Sequence, residues 1–323
     1  MRAWITTEAG SLRLAEVAEP APGPDEAVVA VEAFSPNRGE TFVLEQAVSG
    51  FRPGKDVAGV VVKPAASGHG PRAGARVVAH LDHSGWAERA AVPVGRLAVL
   101  PEAISTTEAA ALPLAGLTAL RLTRATGPLA SRRVLLTGAS GGVGHYFVEL
   151  AAAQGAQITV VTAGEDRSRR LIELGATGWV SDPAEGTGRF DVALDSVGGS
   201  STATVLSKLT EHGLLVWFGQ ASRTAPTVDF FDWTGGSSAT IRRFLYTDDP
   251  TPVADDLATL VRLTATGRLH PEIGLVAGWE DTPQIIDAMV TRMVRGNAVL
   301  TIPSPQTIEP DDRHEPLPDR SPT

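Results

Sequence analysis

The sequence predicts an α/β fold in which a doubly wound parallel sheet is joined to a small antiparallel β-barrel. Between residues 133 and 218, short apolar runs alternate with segments of helical periodicity, which is typical of a parallel sheet covered by helices. Before residue 105, short β runs are separated by Pro-Gly, Gly-Lys and Ser-Gly turns, which indicates antiparallel strands. The chain of 323 residues is long enough for both units to have a core.

The barrel strands come first along the chain. Four runs of strand-forming residues precede residue 105, at 27–33, 57–62, 75–79 and 87–92. A helix is predicted over 105–111, because Ser105 and Glu108 have the spacing of a capping box. Pro113 then opens a second helix over 114–126 that leads into the parallel sheet.

The parallel sheet and a return segment fill the rest of the chain. Its strands are predicted at 134–137, 157–161, 179–181, 191–195 and 214–218, with helices near 145–154, 167–174 and 200–210. After residue 250 the pattern predicts helices over 254–266 and 283–295 and a final strand. Residues 304–323 contain five prolines, mixed charge and almost no apolar residue, which predicts a disordered tail.

A turn of small residues after the strand at 134–137 has the spacing of a dinucleotide fingerprint. Its three small-residue positions are Ala139, Gly141 and Gly144, which allow a sharp exit from the strand, close approach of a pyrophosphate, and tight packing of helix on sheet. The first N–H groups of the helix and its positive dipole end form an anion site without a basic side chain. The predicted dinucleotide-binding turn comprises Ala139, Ser140, Gly141, Gly142, Val143 and Gly144.

Composition excludes several classes of protein. A net charge of -9, with no basic cluster longer than two arginines, argues against a nucleic-acid surface. Cysteine is absent, which removes disulfides, cysteine nucleophiles and thiolate zinc sites. No apolar run approaches the ~20 residues of a membrane span, and the first residues lack a long apolar segment. We therefore expect a cytoplasmic protein without a membrane or nucleic-acid partner.

Five motifs occur in the order and spacing of the medium-chain dehydrogenase/reductase family. They are Gly54-Lys-Asp-Val-Ala-Gly-Val-Val, Gly70-Pro-Arg-Ala-Gly-Ala-Arg-Val, Gly85-Trp-Ala-Glu, Leu112-Pro-Leu-Ala-Gly-Leu-Thr-Ala and Thr137-Gly-Ala-Ser-Gly-Gly-Val-Gly. The chain resembles most closely the zinc-independent branch of quinone oxidoreductases, ζ-crystallin-like proteins and enoyl reductases. The resemblance extends from the N-terminus to residue 300. Its motifs are specific for fold and nicotinamide cofactor and are poor guides to substrate.

The resemblance implies how the chain divides into domains. Residues 1–113 would form a GroES-like antiparallel β-barrel, residues 114–249 a Rossmann-type NADP-binding domain, and residues 250–303 a return to the barrel. The active site would lie in the cleft between the two domains. The resemblance also implies a homodimer formed by pairing the edge strands of the nucleotide-binding sheets, with residues 237–246 as the segment involved.

The end of the second parallel strand favours NADPH over NADH. An NAD site places a carboxylate there, about 20 residues past the glycines, and this strand ends without one. Thr162 and Arg167 suit a 2′-phosphate, with Arg170 as a further contributor, and the NADPH-using relatives carry a basic residue at the place of Arg167. Two alternatives stay open: a longer strand would let Glu165 and Asp166 hold a ribose, and the arginines would otherwise form the polar face of a helix.

The zinc ligands of the metal-dependent relatives are missing from this chain. Those relatives use a Cys in the first loop and a Gly-His-Glu stretch, where this chain has Pro36-Asn37-Arg38 and Gly54-Lys55-Asp56. Another string, His80 to His83, contains two imidazoles. A strand-to-loop segment does not bring both to one face, so we favour a structural or surface role for them. No metal site is therefore predicted.

Without a metal, the simplest reaction is hydride transfer from NADPH to an electrophile already polarised by conjugation, a quinone or an α,β-unsaturated carbonyl. The resemblance places the amide of Asn37 beside the nicotinamide, where it would orient the acceptor oxygen as the catalytic residue; the alternative is a turn residue after Pro36. Phe42 stands where some relatives carry a tyrosine, so the proton must come from water or another group. Phe42 and Lys55 are assigned to the substrate pocket, although Lys55 and Asp56 would alternatively form a turn ion pair.

Four further cofactor contacts are carried over from the family. They are Thr118, Gly219, Phe244 and Asn297. The walls of the acceptor pocket depend on aromatic residues whose arrangement the sequence does not determine: Phe42, Phe51, Trp86, Phe231, Trp233 and Trp279. Two other functions stay open, an enoyl-thioester reductase for fatty-acid or polyketide intermediates and an NADPH-binding sensor or structural protein with little turnover. A zinc alcohol dehydrogenase ranks last.

Overall fold

A computed structural model of the chain describes residues 1–8, 11–229, 231 and 234–303. The predicted disordered tail at 304–323 lies outside the described residues, as does Trp233. The strands are β1 Arg2–Thr6, β2 Leu12–Glu16, β3 Glu26–Ser35, β4 Asp56–Lys63, β5 Arg76–His80, β6 Arg89–Pro93, β7 Leu97–Val99, β8 Arg133–Leu136, β9 Gln157–Val161, β10 Gly178–Val180, β11 Phe190–Asp195, β12 Leu209–Trp217, β13 Thr240–Arg243, β14 Ile273–Gly278 and β15 Asn297–Thr301. The helices are α1 Arg38–Gln46, α2 Thr106–Ala110, α3 Pro113–Ala125, α4 Gly142–Ala152, α5 Glu165–Glu173, α6 Ser200–Ser207, α7 Val253–Ala265 and α8 Thr282–Val290.

Six strands form a wholly parallel sheet in the order β10-β9-β8-β11-β12-β13. From β8 the chain winds outward through β9 to β10, and it then returns to the other side of β8 with β11 and winds outward again. The change of direction falls between β8 and β11, where α/β folds of this kind bind ligands beyond the carboxyl ends of the strands. The predicted α/β fold with a doubly wound sheet is confirmed.

The second sheet has seven strands, with β14-β15-β3-β4-β5-β7 in one path and β6 paired to β3. Its pairings are antiparallel except for β14 with β15. The two C-terminal strands join the N-terminal ones through β15, in which Leu300 pairs with Phe34 of β3. A separate antiparallel pair, β1 with β2, lies beside this sheet.

The core of the seven-stranded sheet is aromatic. The rings of Phe34 and Trp86 stack with centroids 5.6 Å apart, and the Trp4 indole donates to the carbonyl of Trp279 at 3.1 Å. Trp86 and Trp279 are both fully buried, so these two candidate pocket walls belong to the core instead.

Helices α3 and α7 join the two parts of the molecule. Buried Arg121 of α3 donates through Nε to Asp256 of α7 at 2.8 Å and through its other nitrogens to the carbonyls of Tyr246 and Thr251. Each of the three nitrogens of this buried guanidinium donates to an acceptor, which fixes the segment that crosses back from the parallel sheet.

Two helices differ from the prediction. The sequence before residue 105 predicts only strands, yet α1 occupies residues 38–46; its first turn is stabilised by the Asn37 backbone N–H donating to Glu40 Oε2 at 2.8 Å. Helix α8 ends at Val290 rather than 295, because Arg292 adopts a left-handed backbone with φ 62°. Helix α2 and its Ser105–Glu108 capping box are as predicted.

Candidate active site

The predicted dinucleotide turn lies at the switch point of the parallel sheet. Thr137, at the end of β8, donates through Oγ1 to Asp195 Oδ1 at 2.6 Å, and Ser196 Oγ donates to the Thr137 carbonyl at 3.1 Å. Gly219, one of the predicted contacts, packs its backbone against Ser196. The loops that follow β8, β11 and β12 are therefore held together at one edge, where a ligand would meet their backbone groups.

The turn itself has the shape that a diphosphate needs. Gly141 caps α4 with an extended backbone, and a Cβ placed on it would meet only the Gly138 carbonyl oxygen, at 3.6 Å. By contrast, a Cβ on Gly144 would overlap the Ala139 backbone, so this glycine provides the tight packing of helix on sheet. The first N–H groups of α4 have no partner within the helix. The residues of the turn thus fit a bound diphosphate on the open side of Gly141.

A segment of the seven-stranded sheet closes over this turn. The Gly296 N–H donates to the Ser140 carbonyl at 2.9 Å, and the side chain of Asn297 lies against Gly142, where a Cβ would collide with its amide oxygen. Asn297 is buried, and its Nδ2 donates to the Glu272 carbonyl at 3.1 Å. Asn297 is therefore placed beside the predicted turn, with an amide oxygen directed at it.

The predicted 2′-phosphate residues lie at the end of β9. Thr162 is buried and donates to the Gly164 carbonyl at 2.9 Å, and half-buried Arg167 donates through Nη2 to the Arg292 carbonyl at 3.0 Å. Arg170 is paired with two carboxylates, Glu173 at 3.0 Å and Glu272 at 3.2 Å. Arg170 is thus engaged by two protein carboxylates, which makes it a weaker candidate for a phosphate than Arg167.

Asn37 is buried at the N-terminus of α1, with both amide hydrogens engaged. Its Nδ2 donates to Asp56 Oδ2 at 2.7 Å and to the Ser35 carbonyl at 3.2 Å. Its amide oxygen faces the Glu40 backbone in the capping box, and an oxygen accepts hydrogen bonds without donating any. Asn37 therefore suits an N–H or O–H group of a ligand, whereas polarising an acceptor carbonyl would require one of these bonds to break.

Asp56 is the centre of a buried polar network that sequence reasoning missed. Its Oδ1 lies 2.7 Å from His80 Nδ1, and its Oδ2 accepts from Asn37 and from the Leu114 backbone N–H at 2.9 Å. His80 Nε2 in turn lies 3.0 Å from the hydroxyl of Tyr246, in the segment after β13. Burial raises the pKa of Tyr246 to about 12, with the charge of Asp56 adding to it, so the phenol stays neutral. The network fixes Asn37 and the start of α3, which carries buried Thr118 one turn later.

A pocket of about 110 Å³ lies next to Asn37 in the seven-stranded part of the molecule. Its polar lining consists of Glu40, Lys55 and Asp82, and its apolar lining of Val43, Leu44, Phe51, Pro53 and Gly54. Lys55 and Phe51 therefore line a pocket together. Lys55 does not pair with its neighbour Asp56, whose carboxylate is directed at His80.

Glu40 is 3% exposed, and one of its carboxyl oxygens has no hydrogen-bond partner among the described residues. The other oxygen accepts from the Asn37 backbone. Burial, aided by the charge of Asp56, raises the pKa of Glu40 to about 8, against the opposing charge of Lys55. Glu40 was not predicted as a site residue, although the Asn-x-x-Glu spacing of a capping box was visible in the sequence.

Phe42 lies outside this pocket, at the mouth of the cleft. The Arg223 guanidinium lies 4.7 Å from the centroid of the Phe42 ring, and it also pairs with Glu45 through Nη1 at 2.7 Å. Nearby, Arg38 donates to the Met289 carbonyl at 2.8 Å. Burial lowers the pKa of Arg38, and the charges of Arg292 and Arg223 lower it further.

The mouth of the cleft is therefore positively charged, although the chain as a whole carries -9. Within the described ranges, neither Arg38 nor Arg292 has a carboxylate within ion-pair distance. Arg223 is paired with Glu45, so Arg38 and Arg292 are the two guanidinium groups whose charge favours a nearby anion.

The last predicted contact, Phe244, directly follows β13. It is 9% exposed and belongs to the main apolar core, while its N–H donates to the Trp217 carbonyl at 2.9 Å. Any ligand contact at this position would thus involve its backbone carbonyl.

The His80–His83 string divides between interior and surface. His80 is buried against Asp56, whereas exposed His83 lies 2.7 Å from the hydroxyl of its neighbour Ser84. Among the residues that the structure describes, no three His, Cys, Asp or Glu side chains are grouped so that they would hold a metal ion.

The helices of the described residues were also compared with the length of a membrane span. Each of them is too short or too polar to cross a membrane.

Comparison with known proteins agrees with this architecture. Residues 142–265 match the family described as zinc-binding dehydrogenase. A chloroplast envelope quinone oxidoreductase homologue of Arabidopsis thaliana is 37% identical over 184 residues, 52% of this chain and 56% of that protein. A 2-methylene-furan-3-one reductase of Solanum lycopersicum is 30% identical over 232 residues, 64% of this chain and 60% of that protein. The matched regions thus span little more than half of these relatives.

The fold similarity extends much further along the chain. The structure of Escherichia coli quinone oxidoreductase complexed with NADPH superposes with a TM-score of 0.84 at 23% identity, covering 93% of this chain and all of that one. The chain therefore has the fold of this quinone oxidoreductase, and part of its sequence matches the zinc-binding dehydrogenase family. Asn297 meets the predicted turn where the two sheets come together, and Asn37 bonds to Glu40, which lines the pocket on the side of the seven-stranded sheet.

Proposed function

We propose that this protein is a medium-chain dehydrogenase/reductase that binds NADPH and transfers its hydride, without zinc, to a quinone or an α,β-unsaturated carbonyl. The observation that carries the proposal is the open side of Gly141 at the N-terminus of α4, which suits a diphosphate. The Escherichia coli structure similar in fold is complexed with NADPH, and two relatives are named for quinone and enone-type substrates. When bound, the nicotinamide would supply the hydride.

Selectivity for NADPH over NADH would come from residues at the end of β9 that bind the 2′-phosphate. Strand β9 ends at Val161, and Glu165 and Asp166 belong to the first turn of α5, so the alternative of a longer strand is not seen. Arg167 keeps donor groups beyond its one bond to the Arg292 carbonyl. We propose that Thr162 and Arg167 bind the 2′-phosphate.

The zinc-free part of the proposal depends on residue chemistry. The positions that hold zinc ligands in metal-dependent relatives carry Asn37 and Lys55 here, and the chain has no cysteine. Asn37 is committed to Asp56, and an ammonium group does not coordinate metal. Substrate activation would therefore come from conjugation and from protein hydrogen bonds.

The acceptor would enter between the pocket and the turn. The pocket beside Asn37 is largely apolar with a few polar groups, which is typical of a site for a small conjugated molecule. We propose that Lys55 contacts the acceptor there, and that Phe42 shapes the entrance rather than the pocket. Thr118, Gly219, Phe244 and Asn297 are proposed to contact the nicotinamide half of the cofactor.

A second candidate is an enoyl-thioester reductase, and the arginines at the cleft mouth favour it. Arg38, Arg223 and Arg292 would attract the phosphates of a coenzyme A or phosphopantetheine carrier. If this reading is right, a crotonyl thioester of coenzyme A will be reduced with a much lower KM than the matching ketone. Equal KM values would leave the arginines without a role in acceptor binding.

Cofactor kinetics test the proposal. We expect NADPH to support reduction of 1,4-naphthoquinone or an enone with kcat/KM well above that for NADH. Arg167→Glu should lower kcat/KM for NADPH by about tenfold or more while sparing NADH, since one charge-assisted phosphate contact contributes about 1.5–3 kcal/mol. Arg169→Glu, on an exposed position of the same helix, serves as the matched control. Unchanged NADPH preference in the Arg167 variant would remove Arg167 from the site.

A further inference from the structure

A reductase of this kind needs a proton as well as a hydride, and the residue carried by some relatives for that task is absent. Phe42 stands in the place of a tyrosine and its ring is covered by Arg223. Tyr246, a phenol close to the site, is hydrogen-bonded to His80 on the far side of Asp56 from Asn37. Neither side chain is placed to deliver a proton into the pocket.

We propose that Glu40 is the proton donor to the acceptor, and that the pocket it lines takes conjugated carbonyls whose carbon must be protonated after hydride transfer. The inference rests on the proposed function. It stands on the position of the carboxyl group, which bonds through one oxygen to the Asn37 backbone and leaves the other buried and unpartnered within the described residues. A buried polar atom without a partner is rare, and here it belongs to a group that lines a pocket.

The surroundings favour the protonated acid. Burial raises the pKa of Glu40 to about 8, and Asp56 of β4 adds to the effect. The positive charge of Lys55, which lines the same pocket, acts in the opposite direction and lowers the pKa of Glu40. The third charged group of the pocket is Asp82, which forms an ion pair with Arg96 at 2.8 Å. Near neutral pH the carboxyl would thus hold a proton, and Lys55 would stabilise the carboxylate left after the proton is given away.

The chemical step balances with the groups named. Hydride adds to the β-carbon of the enone, and the electron pair of the C=C bond moves to give an enolate. The Glu40 O–H bond then breaks, a C–H bond forms at the α-carbon, and the enolate returns to a carbonyl. Glu40 remains as a carboxylate and recovers its proton from water entering the pocket. A quinone requires protonation only on oxygen, which water performs readily, so Glu40 matters less for it.

Glu40→Gln is the informative variant. Glutamine keeps the size of the side chain and an oxygen to accept from the Asn37 backbone, but it has no acidic proton. The control is Glu108→Gln, because Glu108 occupies the same capping position in α2, accepting from the Ser105 backbone at 2.9 Å, away from the pocket. Glu40→Asp retains the acid and should restore part of the lost activity.

Activity is measured with NADPH and two acceptors, 3-penten-2-one and 1,4-naphthoquinone, across pH 5–10. For Glu40→Gln we expect kcat on the enone to fall about 100-fold or more, as when a general acid is removed, with little change on the quinone or in the NADPH dissociation constant. The wild-type decline in enone kcat above pH 8 should disappear in this variant. The Glu108 control should match the wild type throughout.

A measurement without turnover accompanies the kinetics. The folded-state pKa of about 8 exceeds the ordinary 4.5, so folding takes up a proton between these values and wild-type stability falls as pH rises through that window. The ratio of folded to unfolded protein should fall by up to about tenfold per pH unit relative to Glu40→Gln. This is measured by urea unfolding at several pH values.

The outcomes separate the two proposals. If the wild type reduces the enone and the Glu40→Gln variant reduces it equally fast, the proposed role of Glu40 is overturned. The proposed function would still stand in that case. Equal losses on both acceptors together with weaker NADPH binding would mean that Glu40 only shapes the site, which also overturns it. A wild type that oxidises NADPH with neither acceptor would overturn the proposed function, and the inference with it.

Discussion

At the scale of single residues, Asp56 organises the candidate site. Asp56 is 1% exposed. One of its carboxylate oxygens pairs with His80, and the other accepts hydrogen bonds from Asn37 and from the backbone at the start of α3, all within 2.9 Å. Burying a carboxylate is costly unless hydrogen bonds and paired charges compensate for the lost water, so these partners hold Asp56 in place. Asp56 therefore sets the position of Asn37 relative to α3 and its Thr118.

Asp56→Ala should destabilise the protein and disorder the site together. Removing one partner of a buried, hydrogen-bonded pair lowers the free energy of unfolding by about 3–5 kcal/mol, because His80 and Asn37 are left buried without their acceptor. The control is Asp25→Ala, which removes a carboxylate whose side chain is 70% exposed. This change should alter the free energy of unfolding by less than about 0.5 kcal/mol. Urea unfolding measures both. If the Asp56 variant is within about 1 kcal/mol of the wild type, the network does not hold this part of the fold.

The residue types of the site were predictable, but their contacts were not. The small-residue turn follows from strand-turn-helix spacing, because each glycine answers a local requirement of the backbone. The direction of the Asn37 amide depends on Asp56, 19 residues away, and the loss of Arg170 to an ion pair depends on Glu272, 102 residues away. Spacing along a chain does not encode which distant carboxylate a side chain meets.

At the scale of elements, β13 leaves the edge of the parallel sheet uncovered. It pairs with β12 on one side, all four of its residues are exposed, and Ile241 is 48% exposed. An exposed apolar edge strand is a site for pairing with another strand. We therefore retain the predicted homodimer as a proposal, with strand β13 meeting its copy across a twofold axis.

Ile241→Lys should convert a dimer into a monomer, since a charge at a symmetric strand pair faces its own copy. Multi-angle light scattering measures the mass. Val276→Lys is the matched control, because Val276 is 55% exposed on β14, the edge strand of the other sheet. A monomeric wild type, or a dimer that survives the Ile241 change, would contradict the proposed interface.

The elements were predictable where periodicity was strong. The strands of the parallel sheet are nearly continuous apolar runs, and α7 shows one clear apolar face, so both were placed within a few residues. Helix α1 was missed because its short span mixes β-branched and aromatic residues with polar ones. Its only local signal was the Asn37–Glu40 capping pair, and that pair also carries the candidate proton donor.

At the scale of the whole molecule, contacts between the two sheets define the cleft. The Gly296 backbone meets the Ser140 carbonyl, Asp56 meets the Leu114 backbone, and Arg223 meets Glu45. One side of the cleft offers the diphosphate turn, and the other offers Asn37 and the pocket with Glu40. The predicted domain boundaries at 113, 249 and 303 remain predictions.

The central claim is that the nicotinamide hydride passes directly to an electron-poor acceptor in this cleft. The most direct test uses NADPH that carries deuterium at both C4 positions, with 3-penten-2-one in ordinary water, followed by NMR of the saturated ketone. We expect one deuterium at the β-carbon and solvent hydrogen at the α-carbon. Oxidised NADPH with no deuterium in the product, or no oxidation at all, would contradict it.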